Sequence, residues 1–108
     1  MKSSRQARIV LVTCANPIQA KLIARSVVEK RLAACVNIVR SPIESHYRWQ
    51  GRVQQARELL LLIKTTARKL AALESEVHRL HSYDVPEFIV LPIVAGSKAY
   101  LDWLNENT

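Results

Sequence analysis

Two cysteines and three histidines carry most of the ligand chemistry in this sequence. Thiolate and imidazole suit copper and zinc. His78 and His81 lie three residues apart, the only close pair, and share a face if the segment is helical. His81, Cys14, Cys35 and His78 are therefore the candidate metal ligands, with His46 or Asp84 available from elsewhere in the fold or from a second subunit. No pair has zinc-finger spacing. Each ligand also has a plainer account: two histidines at a helix end complement its negative dipole, and Cys35, between Ala34 and Val36, reads as a small core residue.

A second constellation comprises Tyr47, Trp49, Lys64, Tyr83, Asp84 and Glu87. A lysine closing an apolar run beside a glutamate opening the next segment can bind or polarise a small anion between aromatic walls. The same residues can instead make a salt bridge and aromatic packing at a subunit seam, since buried charges persist when paired. No Ser-His-Asp order, nucleophile elbow, P-loop or usefully spaced carboxylate pair is present. The expectation is a binding protein, not an enzyme, without an organic cofactor. Arg40, Arg48, Arg52 and Arg57 surround Tyr47 and Trp49, which raises nucleic acid as a partner. It is disfavoured, because the two strands that would carry an RNA-recognition signature are aliphatic.

The elements that must position these residues follow from periodicity. Arg8–Thr13 reads as a first strand. Asn16 and Pro17 cap and start a helix to about Arg31, with Ala20, Ile23, Ala24, Val27 and Val28 as its buried stripe. Ala34–Val39 is a second strand, ended or kinked by Pro42 and resuming through Ser45–Trp49. Gln50-Gly51 makes a hairpin turn. The return strand from Val53 to Lys64 contains five consecutive apolar residues, Leu59–Ile63, which implies a central strand buried on both faces. Thr65-Thr66 offers a cap to a second helix carrying Leu70, Leu73, Val77 and Leu80 and ending near His81. Pro86–Val94 is a fourth strand, placed at an edge by Pro92. Tyr100, Leu101 and Leu104 mark a short terminal helix.

The order is β-α-β-β-α-β plus a C-terminal helix. This is an α+β, ferredoxin-like βαββαβ sandwich with an antiparallel sheet and a long hairpin between its second and third strands. Right-handed crossovers place both long helices on one face, leaving the other solvated or covered by something else. The hairpin carries Tyr47 and Trp49 with nothing in its own domain to bury them, so self-association is expected.

Composition agrees with one globular unit. The 108 residues are 49% apolar and 23% charged, read as a single domain over 1–108 with its folded core at 7–106. The net charge of +7 is lopsided: through Arg57 there are 11 basic and 2 acidic residues, and from Glu58 onward 5 and 7. A basic half points to anionic company or simply to solvated faces. Two cysteines are too few for a disulfide scaffold. The apolar stretch Ile9–Val12 is four residues long, against roughly 7 to 15 for a signal peptide and about 20 for a membrane span, so the expected setting is cytoplasmic, away from membranes.

Six blocks in order then carry a resemblance: Arg31–Ile38 (RLAACVNI), Tyr47–Gly51 (YRWQG), Leu61–Thr66 (LLIKTT), His81–Glu87 (HSYDVPE), Leu91-Pro92, and Tyr100–Leu104 (YLDWL). Over about Ile9 to Asn105 the sequence resembles the CutA family of divalent-cation tolerance proteins. The resemblance implies a ferredoxin-like homotrimer with hairpins paired across subunits, an architecture similar to that of the trimeric PII signalling proteins. It also implies binding of copper or another divalent cation and a role in the response to metal ions. Some members carry a first-strand thiol and a His-His pair; here Val12 stands at the thiol position, with Cys14 two residues on, and the pair is Leu80-His81. The alternative within the same fold is a PII-like trimer that binds a small anion or metabolite.

Overall fold

Side-chain alternation and a few backbone breakers account for the architecture, which a computed structural model describes from Met1 to Thr108. The elements are β1 (Lys2–Ser3), β2 (Ala7–Cys14), α1 (Pro17–Glu29), β3 (Cys35–Trp49), β4 (Arg52–Thr66), α2 (Leu70–Leu80), β5 (Ile89–Pro92), β6 (Ala95–Gly96) and α3 (Lys98–Glu106). The main sheet has the order β3-β4-β2-β5 and every neighbouring pair is antiparallel. This is the expected α+β sandwich with its C-terminal helix. The β1–β6 ribbon is an addition, two residues per strand and too short to leave a periodic trace.

The core lies under one face of the sheet. Val10, Val12 and Cys14 of β2 and Leu59, Leu61 and Ile63 of β4 pack beneath Ala20, Ile23 and Val27 of α1 and Leu73 and Val77 of α2. These positions alternate along each strand and recur every three or four residues along each helix, as burial of one face requires. The stripe on α1 is narrower than expected, because Val28 is exposed. Leu60 and Leu62 are only half-buried, so β4 is central but its second face is not closed within one protomer.

Local chemistry sets the boundaries. The Asn16 side chain accepts from Gln19 N at 2.9 Å and Pro17 opens α1. Arg31, at φ 57°, turns the chain out of that helix. Pro42 falls in a register shift between Val39 and Ile43, so β3 continues through a bulge to Trp49. Gln50 and Gly51 have φ of 52° and 77°, the left-handed pair of a turn whose twist matches a hairpin. Thr65 and Thr66 finish β4 instead of capping α2; a single 3₁₀ turn, Ala67–Lys69, intervenes. The fourth long strand is shorter than Pro86–Val94: Pro86-Glu87-Phe88 is loop, and only Ile89–Pro92 pairs, at the sheet edge as Pro92 demands.

The two long helices are tied together by Glu76, whose Oε2 accepts from Lys30 Nζ at 2.8 Å and from Arg79 Nη2 at 2.8 Å, and also from the Ser26 hydroxyl. Arg79 first, then Lys30 and Ser26, hold this carboxyl well below the usual carboxylate range. Its stabilising contribution is thus present above the ordinary glutamate pKa and fades as pH falls toward the depressed folded value. In Glu76→Gln, thermal melts should show a Tm several degrees below wild type near neutral pH, the gap closing below about pH 4; a gap independent of pH would contradict the ionic account.

Candidate functional site

The β3–β4 hairpin and the loop after α2 build one cleft. Cross-strand pairs Tyr47–Gln54, Ser45–Ala56 and Ile43–Glu58 put Tyr47, Ser45 and Glu58 on a common face of the hairpin, and Trp49 follows by alternation. The Tyr83–Glu87 loop crosses this face, and Thr13 at the end of β2 closes the inner wall. The cavity is about 770 Å³, a size ordinary for small-molecule sites.

Glu58 forms its floor. The residue is 7% exposed, and the Tyr83 hydroxyl donates to its Oε2 at 2.9 Å. No Lys, Arg or His forms a salt bridge with Glu58, Asp84 or Glu87. Burial and the Glu58 carboxylate push the Tyr83 phenol up, so it remains a donor at any physiological pH. Burial and the same neighbour also push the Glu87 carboxyl up. The cleft thus concentrates negative charge and hydrogen-bond acceptors beside aromatic rings, an arrangement suited to a cation.

His81 stands behind this wall as a brace. Its Nε2 donates to the Thr13 carbonyl at 2.7 Å, its Nδ1 accepts from the Tyr83 backbone N–H at 3.1 Å, and its ring lies 4.7 Å from that of Tyr83. Cys14 Sγ is 3.9 Å from Nε2. The thiol is fully buried and pushed up to about 11, by burial first and by the Glu58 charge second, so it stays protonated. A metal ligand needs a free imidazole lone pair and a thiolate, and this pair offers neither. As folded, Cys14 and His81 do not fit a copper ion.

The remaining expected ligands are dispersed. His78 is exposed on α2 with its ring 6.3 Å from that of Phe88. The His81 ring does not join it, being buried against Thr13 and Tyr83. Cys35 is not a core residue: it is half-buried beside Tyr100 of α3, on the sheet face opposite α1 and α2. No three His, Cys, Asp or Glu side chains converge to hold a metal ion. Lys64 also leaves the second constellation. It pairs with Ile9 and Cys35, six residues along β4 from Glu58, or about 20 Å at roughly 3.4 Å per residue.

Tyr47, Trp49, Tyr83, Asp84 and Glu87 do converge. Sequence reasoning missed Glu58 and Thr13. The available signal was an acidic residue opening the apolar run Glu58–Ile63, on the same alternation as Tyr47 and Trp49 once the hairpin register is counted.

Comparison with known proteins places this geometry. Residues 8–107 match the family model of the CutA1 divalent ion tolerance protein. The divalent-cation tolerance protein CutA of Thermus thermophilus is 52% identical over 93% of this chain and 96% of its own; a solved structure of the Thermus protein superimposes with a TM-score of 0.92 at 51% identity, covering 94% of this chain and 98% of that one. CutA from Synechococcus elongatus, solved complexed with a Bis-Tris molecule, is 36% identical with a TM-score of 0.90 over 99% of this chain and 98% of that one. The chain spans about half the length of the matching plant and animal relatives, for example 54% of the chloroplastic CutA of Arabidopsis thaliana. This chain belongs to the CutA1 divalent ion tolerance protein family.

Proposed function

We propose that this protein is a non-catalytic homotrimeric binding protein that serves the cytoplasmic response to divalent metal ions, copper among them, with the Glu58 cleft as its working site. The carrying observation is a buried carboxylate at the floor of an open cleft that makes no salt bridge within the protomer. Buried charge persists when paired, so the counter-ion is supplied by what the cleft binds. The donors there are carboxylate, phenol and hydroxyl oxygens, which take divalent ions without requiring a thiolate.

Support for the trimer comes from the uncovered surfaces. The register Leu11–Leu62, Thr13–Leu60 and Ile9–Leu91 lays apolar side chains together on the sheet face opposite α1 and α2. Ile89 and Leu91 on edge strand β5, and Tyr47, Trp49 and Val53 on the hairpin, are exposed in the protomer. Surfaces of this kind are edges and patches awaiting a partner, and the hairpin extends the molecule to 44 Å against 25 Å in the other directions.

Calorimetric titration of the full chain with CuCl₂ should give binding that Glu58→Gln weakens at least about tenfold, the loss of one charged contact, while Cys14→Ser leaves it unchanged. No binding, or affinity indifferent to Glu58, would overturn the assignment of metal to the cleft. A second reading, a small-molecule-binding signalling trimer, is favoured by the cleft volume and by the absence of converging metal ligands; the Synechococcus relative was solved complexed with an organic molecule.

A further inference from the structure

We infer that the exposed ridge of α1, together with the base of the hairpin on the side turned away from the cleft, docks a partner protein through an acidic segment that carries apolar side chains. This surface lies outside the Glu58 cleft and accounts for the basic excess through Arg57. Along β4 the buried row Ile63, Leu61, Leu59 continues to Arg57, and along β3 Arg40 follows Val36 and Ile38. Both arginines thus emerge on the face that α1 covers, just past Leu59, which pairs with Cys14 at the end of β2, a few residues before α1 starts at Pro17. On α1, Ser26 and Gln19 turn toward α2 and the loop after it, through Glu76 and Ser82. Lys21 is on the opposite flank and overlooks edge strand β3. Ile18 and Leu22, one turn apart on the outward ridge, are 82% and 52% exposed.

Lys21, Arg40 and Arg57 make no salt bridge within the protomer. Glu44, directly across from Arg57, is held instead by His46 at 2.7 Å. The positive charge here is therefore uncompensated, and a partner bearing carboxylates complements it. A shallow hollow of about 270 Å³ beside Arg57 has room for an acidic side chain. Large exposed apolar residues rimmed by charge mark protein interfaces, and two of them one turn apart fit the apolar stripe of an amphipathic segment. Nucleic acid fits less well. A phosphate backbone gives Ile18 and Leu22 nothing to bury against, and the hairpin aromatics that could stack on bases, Tyr47 and Trp49, lie on the cleft side. The sheet face assigned above to self-association is opposite α1, which leaves the docking surface outward in the assembly.

A phage-displayed library of random peptides of about 16 residues, enough for about four helical turns, tests this on the full chain. Selection on wild type should enrich sequences with net negative charge and apolar residues three or four apart. A fluorescent copy of the most enriched peptide should bind wild type at least about tenfold more tightly than either double variant, Arg40→Ala with Arg57→Ala or Ile18→Ser with Leu22→Ser. Glu58→Gln should bind it like wild type. All four changed positions on this surface are exposed, so both double variants should keep their helical circular dichroism. Selection that enriches no acidic sequence, or peptides that bind both double variants as tightly as wild type, overturns the inference. A single-stranded oligonucleotide that binds wild type more tightly than the peptide, and that the Ile18 and Leu22 changes do not weaken, overturns it in favour of a nucleic-acid surface. A lower mass for either double variant in light scattering also overturns it, because the occupant would then be a second copy. Peptide binding lost in Glu58→Gln refutes this face and moves the contact to the cleft.

Discussion

Replacing Ser45–Ala56 with an Asn-Gly turn should reduce the particle in solution from three protomers to one. The excised segment contributes nothing to the core: none of its residues is among the buried side chains beneath α1 and α2. The proximal pairing, from Cys35–Lys64 to Glu44–Arg57, stays in place, and Asn-Gly closes a two-residue hairpin in the left-handed geometry that Gln50-Gly51 now adopts. What disappears is the exposed set, Tyr47 at 46%, Trp49 at 42% and Val53 at 67% exposure. Residues that are dispensable for the fold yet large and apolar are the ones on which association depends. Light scattering should therefore report a threefold lower mass for the variant, with its helical circular dichroism kept. Wild-type Tm should rise with protein concentration and the variant's should not. A wild type that scatters as a monomer, or a shortened variant that still assembles, would refute the hairpin-mediated trimer.

The elements were largely legible because burial imposes periods that the chain displays. The Ala20-Ile23-Val27 and Leu73-Val77 stripes, the cap at Asn16, the turn at Gln50-Gly51 and the break at Pro42 all lie where local chemistry put them. Pro86-Glu87-Phe88 looked like strand because composition alone does not show which backbone groups find a partner. The cleft was half legible. Tyr47, Trp49, Tyr83, Asp84 and Glu87 belong to it, but Lys64 and Glu58 exchange places: both lie on the same face of β4, and only the hairpin register decides which of them meets Tyr83. For the histidines, a spacing of three residues implied joint ligation, but the His81 ring is engaged inward by Thr13 and Tyr83 while His78 stays exposed beside Phe88. Cys14 reads as a potential ligand in one dimension and as packing in three, since a β2 position that alternates with Val10 and Val12 must point into the core.

His81→Ala should destabilise the metal-free protein by about 3 kcal/mol. Deleting the ring strands the Thr13 carbonyl and the Tyr83 N–H, each costing about 1–3 kcal/mol when buried without a partner, and leaves a void beside Cys14. The loss should be undiminished in EDTA, because both ring nitrogens already serve the fold. His78→Ala, three residues earlier on exposed helix, should stay within about 0.5 kcal/mol of wild type. Urea denaturation at equal protein concentration checks both. If His81 were a metal ligand first, EDTA would lower wild-type stability to the level of the variant. The brace account requires instead that wild type be indifferent to EDTA, and that the variant lose ligand affinity because Tyr83, freed from His81, no longer presents its hydroxyl to Glu58.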